Sequence, residues 1–303
     1  MISAPTPDEQ RALVQLCTPA GQPGSGRLRY AAAMYFNRAG QLSDAALEVY
    51  RICSPLDHED PVGLLRARGL AAEVPSMPDL PAELAINLLV DEAGQYLAGL
   101  AAPRQAAPGL AEVRAGLARW RNGPVSPRVS ASANAVVGEW LAPALAALAP
   151  THPALAFAIA KANTGLSWTT FDGYPVDQVG AEFAQSHAYA SIIGEDAVIP
   201  ARDWEMGLFL IPPHVLYRDH RHQAPELYAP LTGPHGWRFG PDLPLTILPA
   251  HRPVWNDPFV PHLTKVGPVP FLCLYVWTRD VNAGAEILPA SDWADLECLR
   301  LEA

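Results

Sequence analysis

Two imidazoles, a carboxylate and a phenol fall within nine positions of one β-prone segment. They are His220, His222, Glu226 and Tyr228, with Tyr217 just ahead and the turn residue Gly233 just behind. Alternate residues of a strand share a face, so His220 and His222 point together. Pro225 has no N–H for a ladder and disfavours one unbroken strand. The segment therefore predicts two strands. One ends after His222, the chain turns through Gln223, Ala224 and Pro225, and the next starts at Glu226, with Glu226 and Tyr228 on one face. So many polar side chains are costly to bury unless they are paired. Two neutral imidazoles and a carboxylate make a facial set for a divalent metal, with positions left open for substrate. Zinc, iron, manganese, nickel or cobalt would each accept such ligands. The adjoining phenol is a candidate acid or base.

The texture of the chain changes near residue 160, which predicts a helical region over 1–160 and a β domain over 161–303. Before it, Thr6-Pro7-Asp8-Glu9 is a helix start: a capping hydroxyl, proline in the first turn, then acids. Helices are expected over Arg27–Arg38, Ser43–Arg51, Pro61–Ala72, Pro81–Leu100, Leu110–Arg121 and Ala131–Leu148. The hairpin of the second and third shows no second copy, so it is not a repeat array. Beyond Trp168, short β-prone runs alternate with Pro, Gly and Asp turns: Met206–Ile211, His214–Tyr217, Leu245–Leu248 and Phe271–Thr278. Such spacing predicts a sandwich or barrel, and the near-continuous apolar run at 271–278 predicts a strand inside its core.

Composition sets outer limits. Half of the 303 residues are apolar and 17% are charged, so a sizeable core is expected rather than disorder. A net charge of -10 without a basic run excludes a nucleic-acid partner, which would need a concentrated basic face. Cys17, Cys53, Cys273 and Cys298 are far apart and form neither a disulfide framework nor a zinc knuckle. Prolines interrupt the most apolar stretch, Trp140–Ala160, which does not read as a membrane span. The N-terminus lacks the basic start and apolar run of a signal peptide, so a cytoplasmic location is expected. A homodimer is the expected assembly.

Six of nine histidines lie between His214 and His262. The spacing HxHxxxE with Gly233 beyond it is the first metal motif of the cupins, double-stranded β-helix barrels. The glycine usual six residues before the first histidine is replaced by His214. A fourth ligand is expected from a later strand pair: His262, which precedes the 271–278 strand, with His251 as the alternative. The second motif's glycine, three residues before its histidine, is replaced by Phe259. The wider pattern resembles the cupin-type dimethylsulfoniopropionate (DMSP) lyases and their lyase-like relatives. It comprises Tyr217, His220, His222, Ala224, Glu226, Tyr228, Leu231, Gly233 and Trp237, with Ala188–Gly194 upstream and Pro261-His262 and Leu274–Trp277 downstream. This resemblance spans roughly residues 165–290.

The resemblance implies an α+β chain with a C-terminal cupin barrel. It also implies β-elimination of DMSP to dimethyl sulfide and acrylate. The metal, on His220, His222, Glu226 and His262, would hold the substrate carboxylate while a tyrosine removes the α-proton. Tyr228, tied by sequence to Glu226, is the first expectation for the base and Tyr217 the second. Trp277, Tyr275 and Trp237 are expected to face the sulfonium, because aromatic faces attract cations. A dioxygenase or isomerase acting on another small carboxylate, and a non-catalytic small-ligand-binding cupin, are the alternatives. The remaining histidines, His58, His152, His187, His214 and His235, are expected to be ordinary surface or core residues.

Overall fold

The computed structural model describes residues 5–76, 79–101, 106–127 and 134–302. Contacts divide the chain into two compact units, Met1–Pro81 with Leu145–Lys161, and Ala82–Ala144 with Ala162–Ala303. The first unit is helical: α1 (Pro7–Leu16), α2 (Ser25–Arg38), α3 (Asp44–Cys53) and α4 (Pro61–Ala67). Local chemistry sets the starts. Thr6 Oγ1 accepts the Glu9 N–H of α1, Ser43 caps α3 through the Ala46 N–H, and Asp60 caps α4. Ala33, Phe36, Ala46, Val49 and Cys53 close the core of the α2–α3 hairpin. The helix expected over Pro61–Ala72 is cut short at Ala67. Gly69 takes a left-handed turn (φ +70°), and one 3₁₀ turn follows over Ala71–Glu73.

The second unit carries α5 (Ala82–Gly99), α6 (Ala107–Trp120) and the first part of α7 (Ala135–Leu148); the start expected at Ala131 lies outside the described residues. After α8 (Pro153–Ala162) come the short α9 (Val176–Val179) and α10 (Ala181–Ser186), then eleven strands, with α11 (Trp293–Cys298) at the end. The strands are β1 (Ala188–Gly194), β2 (Ile199–Pro200), β3 (Glu205–Ile211), β4 (Leu216–Arg221), β5 (Glu226–Pro230) and β6 (His235–Arg238). They continue as β7 (Thr246–Leu248), β8 (Val254–Asn256), β9 (His262–Lys265), β10 (Phe271–Trp277) and β11 (Glu286–Ile287). They form two sheets, in the orders β2-β1-β3-β10-β5-β8 and β11-β4-β9-β6-β7. Phe209, Ile211, Val215, Val266 and Phe271 belong to the buried apolar cluster these strands share.

Two glycines of α6 explain how it seats on the strands: a Cβ at Gly109 would meet the Trp255 ring at 2.0 Å, and one at Gly116 the Trp204 indole at 2.2 Å. Pro225 separates β4 from β5 as the sequence predicts, while β4 starts only at Leu216 because His214 is left-handed (φ +67°). One irregularity matters for the site. Tyr217 pairs with Thr264 and His220 with His262, so three steps on β4 span two on β9. This bulge turns both Tyr217 and His220 inward, although they are an odd number of residues apart.

Candidate metal centre and cavity

His220 lies near the end of β4 and His222 just beyond it, Glu226 opens β5, and His262 opens β9 opposite His220. Each imidazole is anchored by main chain. The Nδ1 of His220 bonds the Arg218 carbonyl at 2.8 Å, that of His222 the Ala224 carbonyl at 2.7 Å, and that of His262 the Val260 carbonyl at 3.0 Å. A carbonyl only accepts, so each Nδ1 carries the proton and Nε2 is left to face inward. The three rings offer nitrogens within 4.8 Å of one another. Among the described residues His251 is not part of this set; it lies instead against Tyr96, ring centroids 5.8 Å apart.

Glu226 joins the set from the next strand. Its Oε2 stands 3.1 Å from His222 Nε2 and 3.4 Å from His262 Nε2, while Trp277 Nε1–H donates to Oε1 at 2.8 Å. Among the described residues the buried His262 Nε2 makes no well-formed hydrogen bond, its nearest polar neighbour being Glu226 at that 3.4 Å. A bare imidazole nitrogen and a carboxylate oxygen are both acceptors, so their approach at His222 requires a cation between them, a proton or a metal ion. Charges follow that logic. Burial and the flanking His262 and His222 hold His220 well below its ordinary value. At His222 burial is outweighed by the hydrogen bond and charge of Glu226, which raise it. Burial acts against the Glu226 carboxylate too, but the two imidazoles overcome it and lower its value. Three imidazole nitrogens with one oriented carboxylate beside them fit a divalent transition-metal ion, which His220, His222 and His262 could hold with Glu226 at their side.

Both motif departures have a backbone explanation. His214 and Phe259, which stand where glycines are usual, have φ of +67° and +60°. Both positions take the left-handed geometry that glycine favours, here with a side chain present. Gly233 is required differently: a Cβ there would stand 2.4 Å from the Ala250 nitrogen.

The centre opens on a cavity of about 440 Å³ whose walls include Glu226, Tyr217, Tyr228, Tyr275, Trp277 and Glu205. The Tyr217 ring is stacked between Phe183 (4.0 Å) and His220 (3.9 Å). Tyr228 shares the face of Glu226 and lies 6.0 Å from the His262 ring. Burial, and after it the charge of Glu226, raises the Tyr228 phenol well above its ordinary value. Trp277 lies over His222 at 4.8 Å. Trp237 takes a different place: fully buried, it packs behind Tyr228 at 5.4 Å and is not among the lining residues.

His187, expected to be an ordinary residue, also lines the cavity, yet both its nitrogens have structural roles. Nδ1 bonds the Phe183 carbonyl at 2.7 Å and Nε2 accepts the Phe171 N–H at 3.0 Å. Glu205 is a lining carboxylate that sequence reasoning missed altogether. Its Oε1 accepts from Tyr275 at 2.5 Å and from Ser191 at 2.6 Å.

The DMSP lyase family model matches residues 117–273, just over half of the chain. The chain belongs to the DMSP lyase family. One solved chain, described as "Crystal structures of DMSP lyases RdDddP and RnDddQII", shares its fold with a TM-score of 0.52 at 16% identity, over 69% of this chain and 100% of that one. DMSP lyase DddQ from Ruegeria pomeroyi DSS-3 is similar at 20% identity and a TM-score of 0.47, covering 68% of this chain and 96% of its own. A protein with a double-stranded β-helix domain from Klebsiella pneumoniae matches 38% of the chain at 19% identity and a TM-score of 0.30, over 96% of its own length. No curated protein matches the sequence. The second unit's two sheets, with helices before them in the chain, give the α+β architecture. Among the described residues no helix is long and apolar enough to cross a membrane.

Proposed function

We propose that the chain is a metal-dependent lyase that eliminates dimethyl sulfide from DMSP, with Tyr228 as the base. The observation that carries this reading is that Glu226, at the edge of the ligand set, and a phenol lie on the same wall of one cavity: Glu226 and Tyr228 are alternate residues of β5, and His262 lies behind them, near both. When bound, the divalent cation supplies Lewis-acid stabilisation to the substrate carboxylate and favours the ionised phenol.

The chain's own residues do the rest. Tyr228 takes the proton from the carbon beside the carboxylate, and that bond's electron pair becomes the new C=C bond. The C–S bond breaks, its pair leaves on sulfur as dimethyl sulfide, and acrylate remains. The Tyr228 proton then passes to solvent, so atoms and charge balance without an oxidant. Tyr217 is the less suited phenol, because its ring is clamped between Phe183 and His220 and its hydroxyl interacts with Tyr174. Tyr275 and Trp277 offer ring faces to the sulfonium.

The test is headspace dimethyl sulfide from purified, metal-loaded protein given DMSP. The wild type releases it, and Tyr228→Phe lowers kcat by at least about 10²-fold while bound metal stays stoichiometric. Full activity in Tyr228→Phe would transfer the role to Tyr217. Absence of release from wild-type protein with bound metal would overturn the substrate.

A further inference from the structure

The cavity holds a second carboxylate that the elimination chemistry leaves without a task. Glu205 pairs in register with Trp277 across β3 and β10, and Trp277 pairs with Glu226 across β10 and β5. Directly opposed residues of neighbouring strands point to the same side, so Glu205, Trp277 and Glu226 form one inward-facing rung. With strands about 4.8 Å apart, the two carboxylate-bearing backbones are roughly 10 Å from each other, with the indole between them. Glu226 belongs to the metal ligands. Glu205 stands at the other end.

Its orientation is built in. Tyr275 and Ser191 both donate to Oε1, while Oε2 accepts no hydrogen bond among the described residues. Tyr275 reaches Glu205 because Gly207, its partner on β3, has no side chain: a Cβ there would lie 2.7 Å from the Tyr275 hydroxyl. Tyr189 and Trp277 add ring faces beside it, and no lysine or arginine lines the cavity. An anion fixed among aromatic faces in a cavity without basic side chains is a cation site.

We infer that Glu205 is a specificity-determining residue whose free carboxylate oxygen faces the onium group of a small onium carboxylate held by its other end at the histidines. This rests on the lyase reading for which end lies where, and it adds the residue that selects for charge. Tyr275 and Ser191 are positioning residues that hold Oε1.

Equilibrium binding to the purified, metal-loaded protein tests it, with 3-(trimethylammonio)propionate against 4,4-dimethylpentanoate, which has the same shape without the cationic charge. Wild-type protein binds the onium compound about tenfold or more tightly, a difference of about 1.4 kcal/mol. Glu205→Gln brings the two affinities to within about twofold by weakening the onium compound alone, and Glu205→Asp, which keeps the charge, retains most of the preference. Glu205→Met provides the same readout if the Gln variant fails to fold. Equal affinities in wild-type protein, or a preference that survives Glu205→Gln, would overturn the inference. Dimethyl sulfide release separates the two ideas. An intact, Glu205-dependent onium preference without release sinks the lyase reading alone, and release with an unchanged preference in Glu205→Gln sinks the role of Glu205 alone.

Discussion

Replacing Asp219 by alanine probes what holds the strand that carries the candidate ligand His220. Asp219 lies on β4 between Tyr217 and His220, with its side chain turned away from the cavity and fully buried. Arg238 grips it twice, Nε to Oδ1 at 2.9 Å and Nη2 to Oδ2 at 2.5 Å, and Trp293 Nε1 donates to Oδ2 at 2.8 Å. Both partners of the ion pair are 0% exposed, so losing the carboxylate strands a guanidinium that water cannot reach. Removing one member of such a pair costs about 3–5 kcal/mol. Asp292, which still contacts Arg238 at 2.6 Å, places the loss near the lower end, about 3 kcal/mol. At about 2–4 °C per kcal/mol for a unit of this size, Tm falls by roughly 6–12 °C. Circular-dichroism melting measures it. The double variant Asp219→Ala/Arg238→Met removes the stranded charge as well, so it should recover part of the loss. A Tm drop below about 2 °C in Asp219→Ala would refute the reasoning, as would a double variant whose loss is simply the sum of the two single losses.

Three other outcomes are expected. His235 is buried and its value is lowered to about 3 by burial; its Nδ1 accepts the Gly267 N–H at 3.1 Å. The unfolded imidazole takes a proton below its ordinary 6.5 and the folded one does not, so stability is lost as pH falls from 6.5 towards 3. Denaturation of His235→Gln across that window should show a shallower slope than wild type. Trp277→Phe keeps a ring over His222 but deletes the 2.8 Å bond that orients Glu226, and metal titration should show an affinity loss of about 10–100-fold. Phe259 is exposed and left-handed, so Phe259→Gly should be neutral or stabilising by up to about 1 kcal/mol, where a destabilised melt would contradict the strain assigned to it.

Much of the centre was legible because its parts are local. Pro225 announces the break between β4 and β5, and residue spacing alone sets His220 beside His222 and Glu226 beside Tyr228. His262 was harder, because the glycine that usually marks its motif is missing; Phe259 takes a left-handed φ there without the residue that would signal it. The bulge between Tyr217 and His220 could not be read from β4, since it exists only relative to β9. Asp219 does turn away from the ligands as alternation predicts, but into a buried ion pair rather than towards solvent. The far wall was invisible for a similar reason. Glu205 and Ser191 look like ordinary strand polars until the register of β1, β3 and β10 brings them to Tyr275. Trp237 has the composition of a cation-facing residue and the position of a core one.

The anchoring of all three imidazoles by carbonyl groups bears on how such a site can diversify. A second layer made of side chains can be lost one codon at a time; one made of peptide carbonyls survives any substitution that leaves the local backbone path intact. The far wall of Glu205 and Tyr275 can therefore be exchanged for others while the three nitrogens keep their aim. On the proposed function, Glu205 is the exchangeable end of the rung, because it touches none of the candidate ligands, whereas Trp277 stays tied to the centre through its bond to Glu226.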